Sequence, residues 1–350
     1  MKNFQDLPDE LVLKILSYSE TKELLICGQV SKRIRRISHD GTLWVSANLV
    51  KKIVKTELLE MILGKGCRIL NLRNSTILGS LSSNIKSQLT VLKLSRPIFN
   101  QGFKNYFDCE SVCDCNENTH VLEELLCSCC SLQHLTIEGV ILTPKMAESI
   151  CKNGKTLQIL NLNGSDLDIS NEFKSNWHEI IKYCQELKEV DFAYVNNGYG
   201  MTTDEFQFFA KNIPPNVEKL NLSGSLIRDY QVEILLRRCN KIKALSLEGT
   251  WMIDSLTTIR QCLNSTLEEL SLGSCDDIRF TGFLGLKSMP RLKILNLYYK
   301  KDGGDEGVQY LRKHLPHVMI KVSHEIIREA QFHGILFQIY PGLLMQFQNG

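Results

Sequence analysis

One phrase, repeated, limits what this chain can fold into. It reads CRILNLRNS, LTVLKLSRP, LQHLTIEGV, LQILNLNGS, LKEVDFAYV, VEKLNLSGS, IKALSLEGT, LEELSLGSC and LKILNLYYK. Its inner apolar pair falls at Leu70 and Leu72, Leu92 and Leu94, Leu135 and Ile137, Leu160 and Leu162, and Val190 and Phe192. The pairing continues at Leu220 and Leu222, Leu245 and Leu247, Leu270 and Leu272, Leu295 and Leu297, and Ile320 and Val322. Counted from the first residue of each pair, the steps are 22, 43, 25, 30, 30, 25, 25, 25 and 25 residues. Alternation within the phrase is that of a strand with one buried face, and a period of about 20–29 residues returns each strand beside the last.

The period and pattern are those of a leucine-rich repeat. Between strands the chain turns helical: in DYQVEILLRRCN, Val232, Leu235, Leu236 and Cys239 recur on one helix face, as packing onto a sheet requires. The expected fold class is α/β, a solenoid of about ten strand–helix units with a parallel sheet lining the concave side of an arc. Side chains between the core leucines point into that hollow. Among them are Arg73, Lys93, Lys219 and Lys321 against Glu138, Glu189, Asp191, Glu248 and Glu269, with many Asn, Ser and Thr between. A mixed, small and polar face suits a protein partner better than a phosphate backbone.

Charge agrees. With 41 basic and 39 acidic residues the net charge is +2, which gives no electrostatic reason to expect nucleic acid or an acidic membrane. The opening MKNFQDLPDE is acidic and interrupted by Pro8, unlike a signal peptide, and no long apolar run suggests a membrane span. The expectation is an intracellular chain whose 13 cysteines are reduced thiols. Cys109, Cys113, Cys115, Cys127, Cys129 and Cys130, with His120 and His134 nearby, match no familiar zinc spacing, so buried or idle thiols are preferred to a metal site. Cys129, Cys184 and Cys239 each stand three residues before the opening apolar residue of a repeat phrase, and Cys275 sits at a turn. No phosphate loop, zinc helix, nucleophile elbow or Cys-His arrangement is present, so neither catalysis nor a cofactor is expected.

Residues 4–50 lie outside the repeat. Pro8 with Asp9 and Glu10 makes a helix start, followed by Leu11, Ile15 and Leu16 as one face. A second helix is expected over Lys22–Cys27 and a third over Val30–Ser38, with Val30, Ile34 and Ile37 aligned; the basic SKRIRR is read as one face of that third helix. Three short helices bury little core by themselves and call for a partner surface.

The stretches LPDELVLKILSY and KELLICGQVSKRIRRISHDGTLW are similar to the F-box, departing at Ser31, where that family often has Cys, and at Ile34, where Trp is usual. An F-box followed by leucine-rich repeats resembles the substrate receptors of cullin-RING ubiquitin ligases. The resemblance extends to LRKHLPHVMIKVSH and the apolar tail, which look like the end of a cell-cycle member of that family, although its long N-terminal extension has no counterpart before LPDE. It implies a non-catalytic subunit that docks the S-phase kinase-associated adaptor on a cullin scaffold with its RING protein. It further implies capture of a target protein, such as a phosphorylated cell-cycle regulator, for ubiquitination and proteasomal degradation, in nucleus and cytoplasm. Carried over by position, the adaptor contacts or their supports are Leu7, Pro8, Leu11, Ile15, Leu24, Leu25 and Val30. The candidate substrate face comprises Tyr194, Asn221, Ser223, Glu248, Trp251, Ser271 and Tyr298. The family member uses a cyclin-dependent kinase regulatory subunit as helper; its aromatic, acidic and arginine docking positions fall on Tyr194, Gly249 and Ser274, of which only the first keeps its character.

The expected layout is an F-box over 4–50, a connecting helix over 51–66, and repeats over 67–323 with an insertion at about 100–118, its helix starting at Thr119. An apolar tail over 324–350 folds back. The alternative is a non-ligase scaffold or enzyme inhibitor whose helical front serves only as an N-terminal cap. A cap would turn its apolar stripe toward Leu70 and Leu72; a docking F-box leaves Leu7, Pro8 and Leu11 available.

Overall fold

The repeat phrase becomes a short parallel strand because its paired apolar residues share one face of the pleat and its polar residues share the other. The computed structural model describes residues 6–82, 85–95, 115–167, 176–195, 203–225, 227–250, 253, 255–273, 278, 280–298 and 304–323. The chain forms two units, Met1–Leu187 and Lys188–Gly350.

The first unit opens with three helices, α1 (Asp9–Leu16), α2 (Thr21–Cys27) and α3 (Lys32–Ser38), with α1 and α2 both packed on α3. Pro8 precedes α1 at φ −57°, so its ring presets the first turn, and Asp9 and Glu10 complement the helix dipole. Ser31 caps α3 by accepting the Ile34 N–H at 3.1 Å. Trp44 closes the trio as a fully buried ring whose Nε1 donates to the Ser38 carbonyl at 2.8 Å. The repeats follow: β1 (Ser46–Asn48), β2 (Ile53–Lys55), α4 (Thr56–Gly64), β3 (Ile69–Leu72), β4 (Thr76–Leu78), β5 (Val91–Ser95) and α5 (Cys115–Cys127). Beyond these lie β6 (His134–Glu138), β7 (Ile141–Leu142), α6 (Pro144–Lys152), β8 (Ile159–Asn161), β9 (Asp166–Leu167) and α7 (Asn176–Tyr183). Within this unit the sheet runs β1, β3, β5, β6, β8, all parallel in the pairs described, while β2 pairs with β4 and β7 with β9.

The second unit alternates β10 (Glu189–Asp191), α8 (Thr203–Asn212), β11 (Lys219–Asn221), α9 (Asp229–Arg238), β12 (Ala244–Ser246) and α10 (Thr257–Leu263). It continues with β13 (Glu269–Ser271), α11 (Phe280–Phe283), β14 (Ile294–Tyr298), α12 (Gly304–His314) and β15 (Met319–Ser323). These strands pair in chain order, all parallel, as crossovers through helices dictate. Each core leucine contributes roughly 1.5–3 kcal/mol of burial. All twenty paired positions read from the sequence are buried except Val322, half-buried in β15 at the end of the strand order. Val232, Leu235, Leu236 and Cys239 are buried as their spacing requires.

Several boundaries differ from the sequence reading. The sheet has an additional first strand, β1, inside the segment assigned to the F-box: Ser46 pairs with Ile69 and Asn48 with Asn71. The connecting segment 51–66 holds β2 as well as a helix, and α5 starts at Cys115, four residues before Thr119. Val30 precedes α3 instead of belonging to it, and it is exposed while Ile34 and Ile37 are buried. Leu16 does not share a face with Leu11 and Ile15; it is buried beside Val12, one helical turn away. Residues 96–114 and the tail from 324 lie outside the described residues.

Candidate functional site

Helix α1 is apolar on two sides. Val12 and Leu16, four apart, point into the three-helix core, whereas Leu11 and Ile15, also four apart, stand 51% and 46% exposed. Pro8 is exposed and Leu7 half-buried just before them. Val30 is 73% exposed, and Tyr18 and Ile26, which the sequence reading did not single out, are also exposed. Ile26 had a signal: Leu24, Leu25 and Ile26 are consecutive, and three neighbours cannot all face one core. Of that run Leu24 is buried, which makes it a support and not a contact, while Leu25 is half-buried. Ile34, the replacement for the usual tryptophan, is buried, so the substitution alters core packing and not the exposed surface.

The exposed residues are held in place by charge. Arg33 Nε donates to Asp9 Oδ1 at 2.8 Å and its terminal nitrogen donates to the Leu7 carbonyl, while Arg36 pairs with the other Asp9 oxygen. These bonds tie the Leu7–Asp9 segment to α3 and hold the Asp9 carboxyl below its usual range, chiefly through the Arg33 hydrogen bond. Arg35 donates to the Gly28 carbonyl at 2.8 Å, closing the α2–α3 turn. The basic residues of SKRIRR are thus largely structural.

In the second unit, the sheet face away from the helices carries register rows. One row is Glu189, Lys219, Ala244, Glu269, Ile294 and Met319; the next is Asp191, Asn221, Ser246, Ser271, Asn296 and Lys321. Lys219 pairs with Glu189 at 2.7 Å. Asn296 donates to Glu269 Oε1 at 2.9 Å and to Ser271 Oγ at 2.8 Å. Asn221 uses its Oδ1 to accept the Ser223 N–H at 3.1 Å and the Ser223 hydroxyl at 2.7 Å. Among the sequence candidates, then, Ser223 and Ser271 are buried and bonded to neighbouring strands, Asn221 caps its own strand end, and Glu248 and Tyr194 are half-buried. Trp251 and the side chain of Tyr298 lie outside the described residues, as does Ser274.

Tyr194 is unusual in its backbone. Two residues after the second core position, six phrases enter the left-handed region: Asn74, Gly139, Gly164, Tyr194, Gly224 and Gly249. Five of these six are glycine or asparagine, and the sixth is a bulky residue at φ +53°. Its ring lies against Gly224, where an added Cβ would come within 2.4 Å of Tyr194 Cδ1. Tyr194 therefore packs on the neighbouring repeat, one of the two roles open from the sequence, and keeps part of its surface exposed.

Four of the thiols, Cys67, Cys129, Cys184 and Cys239, behave as core atoms. Burial pushes Cys184 and Cys239 up to about 12 and Cys67 and Cys129 up to about 11. Cys127 and Cys130 are exposed, and Cys127 Sγ lies 3.1 Å from Ser149 Oγ. Among the described residues no three His, Cys, Asp or Glu side chains converge as metal ligands, and no helix is long and apolar enough to cross a membrane. Cys109, Cys113 and Cys275 fall outside them.

Comparison with known families matches residues 4–49 to a model described as F-box-like and residues 58–328 to one described as the SKP2 LRR domain. Among solved structures, the chain is similar to one from the crystal structure of the Rad7 and Elc1 complex in yeast. That match has 13% identity, covers 91% of this chain and 88% of the other, and has a TM-score of 0.43.

Proposed function

From the premise that this chain belongs to the F-box proteins whose leucine-rich repeats are of the SKP2 type, we propose that it selects targets for a cullin-RING ubiquitin ligase. That domain combination is the composition of SCF-type substrate receptors, which are in general adaptors without catalysis of their own. The helical front docks the small adaptor subunit on the cullin, and the repeats hold a target protein for ubiquitination and degradation by the proteasome. A receptor needs no reacting side chains, because it works by raising the effective concentration of a target lysine near an enzyme bound elsewhere. Nucleus and cytoplasm are the compartments such a receptor would serve, and a phosphorylated cell-cycle regulator, with or without a kinase regulatory subunit as helper, is the target class proposed.

One observation carries this reading. Leu11, Ile15 and Val30 face solvent while the helical core is filled by Val12, Leu16, Leu24, Ile34, Ile37 and Trp44. Aliphatic residues that the fold does not need inside, set beside an exposed proline, mark a contact surface. The scaffold alternative draws support from β1, which joins the helical front to the repeat sheet. That junction is made by Ser46–Asn48, however, and leaves the α1 stripe outside. Changing Leu7, Pro8 and Leu11 together to Ala is expected to abolish co-purification with the adaptor while the far-ultraviolet circular dichroism of the repeats is unchanged. Retained co-purification would sink the proposal. On the repeat side, Tyr194 is the proposed anchor, because it combines partial exposure with a backbone conformation that packing alone would give to glycine.

A further inference from the structure

The second unit carries unlike charges on its two edges. Helices that cross between parallel strands run against them, so α8, α9 and α12 end at the edge where the strands begin. Lys211, Arg237, Arg238, Arg312 and Lys313 stand in those last turns, and Lys287 in the connection before β14. Lys188, Lys241, Lys243, Arg291 and Lys293 stand just ahead of the strands. All eleven are exposed. At the other edge α8 opens with Asp204 and Glu205, and α9 with Asp229. Helix dipoles account for the cations of the last turns, but the five ahead of the strands lie beyond the turn over which a dipole acts.

Among the described residues of this unit, three carboxylates share the basic edge, and each holds one cation. Glu218 pairs with Lys243 at 2.7 Å, Glu268 with Lys293 at 2.6 Å and Glu233 with Arg237 at 2.6 Å. The adjoining row of Glu189, Lys219 and Glu269 adds one net negative charge. The residues of the unit outside the described set are six acidic and four basic, too few to cancel the excess. A backbone ladder aligns the edge: the N–H groups of Glu218, Lys243, Glu268 and Lys293 donate in turn to the carbonyls of Lys188, Glu218, Lys243 and Glu268 at 2.7–2.8 Å. Lys188, Lys243 and Lys293 are therefore two strands apart, about 10 Å, which is the span of about three residues of extended chain.

We propose that this edge holds an extended acidic segment of a partner protein, with Asp or Glu at about every third position. A nucleic-acid strand fits worse. Glu218 and Glu268 interrupt the row of lysines, and a chain charged at every link must lay phosphates against them, whereas a peptide can set an uncharged residue there. The edge lies outside the inner-face rows of Asn221 and Ser271, and the proposal stands whether or not the helical front docks an adaptor.

The probe is a labelled Gly-Ser peptide of about fifteen residues with Glu at every third position, read by fluorescence anisotropy against the full-length chain. Binding is expected, weakening about tenfold from low to physiological salt, and a copy with Gln in place of Glu should not bind. Lys287→Gln, Arg291→Gln and Lys313→Gln combined should weaken binding about tenfold, whereas Lys287→Arg with Lys313→Arg should keep it. Lys51→Gln, Lys52→Gln and Lys55→Gln combined, exposed lysines of the first unit, should also leave it unchanged. No binding by the Glu peptide, undiminished binding by the Gln variant of this edge, loss in the Arg variant, or an oligothymidylate of equal charge bound as tightly overturns the proposal. Adaptor capture by all three variants should match the wild type, so that a failure here is distinguishable from a failure of the ligase reading.

Discussion

Asp9 accepts from Arg33 and Arg36 while Arg33 also holds the Leu7 carbonyl, so one carboxylate sets the posture of the segment proposed to dock. Its folded-state pKa is lowered, so its contribution is complete above the ordinary value of 3.8 and disappears as pH falls through the lowered one. Adaptor capture should therefore hold steady from neutral pH to about pH 4 and weaken below it, whereas Asp9→Asn should weaken capture about tenfold at neutral pH and flatten that acid limb. Pull-down across a pH series reads both; an unchanged Asp9→Asn would refute the posture. At Tyr194 and Gly224 the expectation is steric. Gly224→Ala should cost about 1–3 kcal/mol through its φ of +76° and the clash with the Tyr194 ring. In a Tyr194→Ala background the clash component should vanish, leaving a positive coupling in a thermal-melt double-mutant cycle. The cysteines sort by depth. Iodoacetamide at pH 8, read by mass spectrometry, should modify Cys127 and Cys130 within minutes and leave Cys67, Cys129, Cys184 and Cys239 untouched, because those four stay protonated and enclosed.

The elements differ in how plainly the sequence announces them. A strand with a leucine pair repeated at a fixed period is legible because the period itself, and not any single residue, carries the signal. The same steps show in the rim charges: Glu218, Lys243, Glu268 and Lys293 are 25 residues apart, and Lys243 pairs with Glu218 at 2.7 Å and Lys293 with Glu268 at 2.6 Å. Strand β1 was invisible because Ser-Ala-Asn offers one small buried residue, Ala47, in place of the pair. It becomes a strand because β3 supplies a free edge and the Arg68 and Ile69 N–H groups donate to Val45 O at 2.9 and 3.0 Å. Helix α1 was legible as a helix but its two-sidedness was not: Leu11, Ile15 and Leu16 read as one face until Trp44 and α3 fix which side is inside, with Leu16 and Val12 buried and Leu11 and Ile15 exposed. Trp44 is thus the joint between the helical front and β1. Trp44→Ala should cost about 3–5 kcal/mol and uncouple the helices from the repeats, seen as an early loss of amide protection confined to residues 9–48 in hydrogen exchange. Uniform loss across the first unit would show that the joint is not local.

Over the whole chain, the proposed function rests on two surfaces of different chemistry. The proposed docking surface is aliphatic and fixed by salt bridges to Asp9; the proposed target surface is polar, and much of it is already spent on itself. That expenditure is why the second was less legible. Asn221, Ser223 and Ser271 have the right residue types at inward positions, yet their hydrogen bonds go to neighbouring strands and strand ends. The residue that differs in kind is Tyr194, whose left-handed backbone only coordinates reveal. If the surfaces act separately, their variants should separate too. Leu7, Pro8 and Leu11 changed to Ala should lose the adaptor but keep a co-captured target, Tyr194→Ala should lose the target but keep the adaptor, and an equal mixture of the two variants should not restore ubiquitination, because one chain must hold both partners at once. Ubiquitin transfer reconstituted with adaptor, cullin and RING protein measures this directly. Restoration by the mixture would mean that target and machinery are brought together by an assembly of chains, and the receptor reading would have to be rebuilt on an oligomer.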